Sequence, residues 1–158
     1  MVDKTSATEP FASARRRLEE LWSRQPDRDE ALRAVVAILH EEMPDYHWVG
    51  VYLVQGEELV VHNYKGRPTP HERIPIGEGI CGAAIAENDT VVVDDVKGDS
   101  RYLACSLETS SEIVVPIHVA GKPAGEIDID SDLKAAFGDA DRCFLEEVAL
   151  RLSAFLGA

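Results

Sequence analysis

Basic residues are scarce. Sixteen lysines and arginines stand against 29 aspartates and glutamates, a formal charge of −13. A surface that negative repels phosphate backbones and anionic lipid, so neither nucleic acid nor a membrane surface is expected as a partner. No apolar run approaches the roughly 20 residues that a membrane span needs. Residues 1–10 are polar, lack the basic-then-apolar order of a signal peptide, and read as a disordered N-terminal segment. Cysteine is sparse as well: Cys81, Cys105 and Cys143 lie far apart, and no Cys-x-x-Cys pair occurs. That count suits neither a disulfide framework nor a cysteine zinc site, and it fits free thiols in a reducing, cytoplasmic compartment. Internal repeats, low-complexity tracts and Gly/Ser linkers are absent, so residues 11–158 are expected to form one domain.

The residues that are present mix two periods. Phe11, Leu18, Leu21 and Trp22 are the few apolar anchors of a charged surface helix over 11–22. Asp27 followed by Glu30 reads as a helix-starting box. Leu32, Val35, Val36, Leu39 and Met43 then recur at helical spacing until Pro44. Beyond Pro44 the period drops to two. Stretches 48–54 and 59–64 form a hairpin, 90–93 a short strand, and 112–119 with 123–130 a second hairpin. Between them lie a turn-rich loop holding Gly66, Pro68, Pro70, Pro75, Gly77 and Gly79, a small Ala-rich helix over 81–86, and a long polar loop over 94–111. A last helix begins near Asp139, with Leu145, Val148, Leu152 and Phe155 on one face. Tight turns between consecutive strands imply an antiparallel sheet of five or six strands. The N- and C-terminal helices then cover one face of an α+β domain, and a ligand pocket under loops occupies the other.

The strand Gly125-Glu126-Ile127-Asp128-Ile129-Asp130 carries the strongest chemical signal. Alternation puts Glu126, Asp128 and Asp130 on one face and the two isoleucines on the other. On an ordinary edge strand those acids form a solvated face. If enclosed, they need donors, shared protons or a cation. An ammonium group would serve, and so would a divalent metal, although no carboxylate–histidine spacing points to a metal. Cys105 falls in the long polar loop, where a thiol can be exposed and reactive. Cys81 lies at the start of the small helix, where the helix dipole favours a thiolate; the alternative is simple packing in a Gly/Ala-rich turn. Cys143 reads as packing or surface. The five histidines are scattered, and Gly77-x-Gly79-x-x-Gly82 lacks the leading strand of a nucleotide-binding turn.

These segments together resemble the free methionine-(R)-sulfoxide reductases, small single-domain proteins of GAF fold. The resemblance runs through His47-Trp48-Val49-Gly50-Val51-Tyr52, then Arg73-Ile74-Pro75-Ile76-Gly77-Glu78-Gly79-Ile80-Cys81-Gly82. It continues through Leu103-Ala104-Cys105, Ser111-Glu112-Ile113-Val114-Val115-Pro116 and Gly125-Glu126-Ile127-Asp128-Ile129-Asp130-Ser131. It implies free methionine sulfoxide as substrate and Cys105 as nucleophile. Glu112, Asp128 and Asp130 would bind the ammonium group and supply an acid, and Trp48 and Tyr52 would wall the methyl–sulfur end. The chemistry passes through a sulfenic acid, reset by a thioredoxin-like dithiol reductant, and needs no cofactor and no metal. A role in oxidative stress and a homodimer are compatible with it. Two positions depart from the family pattern. His71 stands where a resolving cysteine is usual, which leaves Cys81 or an external thiol for that step. Ser106 stands where aspartate commonly follows the nucleophile. The competing reading is a non-catalytic GAF module that binds a small amino compound or serves as an interaction platform.

Overall fold

The computed structural model describes residues 4–103 and 107–157, with side chains from residue 9 onward. Two helices lead: α1 (Lys4–Ser23) and α2 (Arg28–Glu42). α1 starts well before the helix expected over 11–22 and runs through part of the segment read as disordered. α2 begins where the sequence places it. The Asp27 side chain accepts the Glu30 backbone N–H at 2.9 Å, a cap worth about 1 kcal/mol. It ends ahead of Pro44, where the Met43 N–H donates to the Leu39 carbonyl.

The strands β1 (Trp48–Gln55) and β2 (Glu58–Lys65) form the first hairpin. Its two-residue turn needs a left-handed residue, which Gly56 supplies at φ 62°. β3 (Arg73–Pro75) then pairs with β2 inside the stretch read as a loop. Its prolines and flanking glycines hide it in the sequence, and an edge position is where Pro75 is tolerated in a strand. The small helix α3 (Gly79–Glu87), the short strand β4 (Val91–Val93) and a single 3-10 turn at Val96–Gly98 follow. β5 (Ser111–Val119) and β6 (Lys122–Ser131) make the second hairpin, and α4 (Asp139–Leu156) closes the chain.

The six strands order as β3-β2-β1-β6-β5-β4, and every pairing is antiparallel. Alternation divides the sheet into two faces with separate cores. Val49, Val51, Ile113, Val115, Ile117, Ile127 and Ile129 face α1, α2 and α4 and bury fully among their apolar stripes. Trp48, Tyr52, Leu59, Ile74 and Val114 face the other way and pack under α3. The large core anchors the sheet. The small one, on the opposite face, is where the acids emerge.

Candidate active site

Register sets the floor of the site. β6 lies between β1 and β5, so each of its acids has a neighbour on either side. Asp130 pairs with Trp48 and Glu112, Asp128 with Gly50 and Val114, and Glu126 with Tyr52 and Pro116. Gly50 matters here because it leaves a gap beside Asp128. A Cβ at that position would meet the Trp48 ring at 2.4 Å, so the indole folds across the glycine. Trp48 also stacks on Tyr64 at 5.3 Å and donates its Nε1–H to the Arg67 carbonyl at 3.0 Å. α3 forms the roof. The Cys81 thiol donates to Asp128 Oδ2 at 3.1 Å, with Glu112 Oε2 at 3.9 Å.

Every polar group in this layer is enclosed: Glu126 is 0% exposed, Asp128 4%, Asp130 4%, Glu112 5% and Cys81 5%. A solvated outer face is therefore ruled out for the β6 acids. Among the described residues, both oxygens of Glu126 and Oδ1 of Asp128 and of Asp130 have no hydrogen-bond partner. Tyr52, His71, Ile74, Gly79, Ile80, Cys81, Leu103, Glu112 and Asp128 line a partly open cavity of about 20 Å³, space for a single water. The Tyr52 hydroxyl donates to the His71 carbonyl at 2.7 Å and so ties that wall to the loop before β3. A wider open groove beside His118, Glu146 and Leu150 holds no buried ionisable group.

Burial decides the protonation of these groups. Desolvation pushes the Glu126 carboxyl well above its ordinary range, and the nearby Asp128 charge adds to it. Asp130 rises well above its range for the same two reasons, partly offset by hydrogen bonding to Glu112 and by Arg67. Asp128 rises by desolvation against the opposing hydrogen bonds of Glu112 and Cys81. Cys81 rises too, from desolvation first and then from Asp128, Glu126 and Glu112. This corrects the expectation of a dipole-favoured thiolate at the start of α3. The helix terminus is there, but three carboxyl groups and the loss of water outweigh it. At the rim the sign reverses: Arg67, paired bidentately with Asp132, holds that carboxyl below its usual value.

The raised carboxyls make stability depend on pH. Folded, Glu126, Asp128 and Asp130 keep protons that the unfolded chain releases near its ordinary values of about 4. Their contribution is complete below that pH and is lost as the pH climbs through the raised folded values. Each group costs about 1.4 kcal/mol per pH unit while it titrates in the unfolded state alone. Urea unfolding with a chelator and no ligand should thus give a more stable protein at about pH 5.5 than at about pH 7.5. A stability that rises across this interval would mean the acids are ionised and compensated.

The structure brings Tyr52, Cys81, Glu112 and Asp128 into one cavity wall. Trp48 and Asp130 are buried next to that wall rather than in it. Cys143 is exposed on α4. Cys105 lies outside the described residues. Leu103, two positions ahead of it in sequence, lines the cavity and packs on Gly79 of α3. Sequence reasoning placed Glu126 on the acid face but did not count it as a site residue. Its place in the alternation with Asp128 and Asp130 was the available signal. No helix among the described residues is long and apolar enough to cross a membrane.

An antiparallel sheet backed by helices on one face, with a short helix over a buried acid row on the other, is the architecture of a GAF domain. The GAF domain family model matches residues 27–156. The free methionine-R-sulfoxide reductase of Escherichia coli is 32% identical over 94% of this chain and 90% of its own length. The structure of the Neisseria meningitidis free methionine-R-sulfoxide reductase in complex with its substrate superposes with a TM-score of 0.87, at 34% identity, covering 99% of this chain and 92% of that one. The type II enzyme of Thermoplasma acidophilum gives 0.78 at 41% identity, over 82% and 95%. The chain belongs to the free methionine-R-sulfoxide reductase family of GAF domains.

Proposed function

We propose that the chain reduces free L-methionine-(R)-sulfoxide to methionine in a thiol-dependent reaction that passes through a cysteine sulfenic acid. The observation that carries this reading is the buried acid row of β6 beside Glu112, closed under α3 and short of a cation. A free amino acid brings an ammonium group, the cation such a host lacks, and a membership shared with sulfoxide reductases supplies the rest of the substrate. Tyr52 and Trp48 offer an apolar flank for the methyl–sulfur end, and Glu112, Asp128 and Asp130 receive the polar groups. As it stands the cavity holds about one water, so an amino acid needs it to widen, and Leu103 is its most exposed wall residue.

In the first half-reaction the Cys105 sulfur attacks the sulfoxide sulfur. A carboxyl among Glu112, Asp128 and Asp130 gives its proton to the departing oxygen. Burial raises Asp128 and Asp130 above the ordinary carboxyl range, which favours the form that still carries a proton to give. The transient bond between the two sulfurs then breaks as the hydroxyl passes to Cys105: methionine leaves with the electron pair and Cys105 becomes a sulfenic acid. The proton of the attacking thiol replaces the one the carboxyl gave, so the sulfoxide gains two electrons and the thiol loses two. In the second half-reaction Cys81 condenses with it: the sulfur–sulfur bond forms, the sulfur–oxygen bond breaks, and the thiol proton leaves with the hydroxide as water. Asp128, already accepting from Sγ, is placed to carry that proton. A thioredoxin-like dithiol reductant in a reducing cytoplasm returns both thiols.

The ammonium requirement is open to test by calorimetry. Free L-methionine-(R)-sulfoxide should bind the reduced protein, whereas its N-acetyl derivative should bind at least about 100-fold more weakly, since a neutral amide leaves the acids without their cation. Equal affinity for the two would remove the acid row from substrate recognition.

A further inference from the structure

Three donors of different elements converge at the roof of the cavity. Cys81 Sγ comes from α3, a Glu112 oxygen from β5 and an Asp128 oxygen from β6, and all lie within 4.8 Å of one another. Their sequence spacing gives no hint of this, because the three residues come from separate segments. Tetrahedral zinc, with Zn–S near 2.3 Å and Zn–O near 2.0 Å, sets its sulfur and oxygen donors about 3.5 Å apart. The Sγ–oxygen separations here are 3.1 Å to Asp128 and 3.9 Å to Glu112, on either side of that value.

A second observation points to a ligand at the same place. Asp128 is 4% exposed, lines the cavity, and its Oδ1 is without a partner. Glu126 has two more unpaired oxygens in the same buried layer. The neighbouring cavity has room for one water, the fourth donor of an open zinc site. One thiolate with two carboxylates suits a borderline-soft, four-coordinate ion rather than calcium or magnesium, which demand more oxygen donors.

We propose that Cys81, Glu112 and Asp128 form a Zn²⁺-class divalent cation site, complete only while Cys81 is reduced. The ion displaces the thiol proton, bonds the Cys81 sulfur, and occupies the acids that would otherwise receive the substrate ammonium group. Metal and amino acid are therefore mutually exclusive, and a bound ion holds Cys81 away from disulfide chemistry. The metal site itself is a property of these three residues, whereas its competition with the amino acid and with disulfide chemistry rests on the proposed function.

The test uses the reduced full chain titrated with Co²⁺, followed by its sulfur-to-cobalt charge-transfer absorption, and with Zn²⁺ by calorimetry. One ion per chain is expected, with the charge-transfer band present in a Cys105→Ser/Cys143→Ser variant and absent in Cys81→Ser. Asp128→Asn should weaken Zn²⁺ binding at least tenfold, with folding of each variant checked by circular dichroism. No band in the reduced wild type would overturn the site. So would a band that survives in folded Cys81→Ser or vanishes from the Cys105→Ser/Cys143→Ser variant.

Discussion

Cys105→Ser should release no methionine, even in a single turnover at high protein concentration, a loss of at least about 1,000-fold. The magnitude follows from the chemistry. A sulfoxide yields its oxygen only to an atom that can be oxidised by two electrons and return, and a serine oxygen cannot take that role. Neither remaining thiol is suited to substitute. Burial and the surrounding Asp128, Glu126 and Glu112 push the Cys81 thiol up, away from the thiolate form, while Cys143 is exposed on α4. The quantity to measure is methionine formed per protein molecule, by chromatography, with excess substrate and no reductant. Wild type should give close to one equivalent. One equivalent from Cys105→Ser would move the nucleophile elsewhere.

Cys81→Ser should separate the two halves of the reaction. Its first turnover should proceed, because the proposed oxygen transfer uses Cys105 and not Cys81. Subsequent turnovers with a dithiol protein reductant should then fall by at least about tenfold, and small thiols should restore them by attacking the sulfenic acid directly. With His71 rather than a thiol at that place in the cavity wall, Cys81 is the cysteine that lines the wall among the described residues. The step requires Cα atoms within roughly 7 Å, or a loop that closes the gap. Leu103 already packs on Gly79 at the start of α3, which brings the chain leading to Cys105 against the helix that carries Cys81. Recycling at the wild-type rate by Cys81→Ser would show that resolution comes from outside the chain.

Much of this architecture was legible before any coordinates. The Asp27 cap, the helical spacing up to Met43 and the switch to alternation after Pro44 all reflect local backbone chemistry. Alternation along β6 likewise sorted Ile127 and Ile129 from Glu126, Asp128 and Asp130. Burial of the acid face was not legible, because it depends on α3 and on β1 and β5 closing around β6. Of the two readings open for Cys81, a dipole-favoured thiolate and simple packing, burial favours the second for the same reason. A helix start is a local feature, whereas the carboxyl groups that oppose it arrive from strands distant in sequence. β3 was missed because a three-residue edge strand ending in proline carries too little pattern to stand out. The convergence of Cys81, Glu112 and Asp128 is a tertiary fact that spacing along the chain cannot express.

Single-turnover release of methionine from the two separated epimers of free methionine sulfoxide, by reduced wild-type protein, tests the proposed activity most directly. The (R)-epimer should yield about one equivalent of methionine and the (S)-epimer at least about 100-fold less, since a pocket with an apolar flank on one side and acids on the other fixes which way the oxygen points. No methionine from either epimer, with the protein folded and its thiols titrated as reduced, would contradict the reductase reading and leave a domain that only binds.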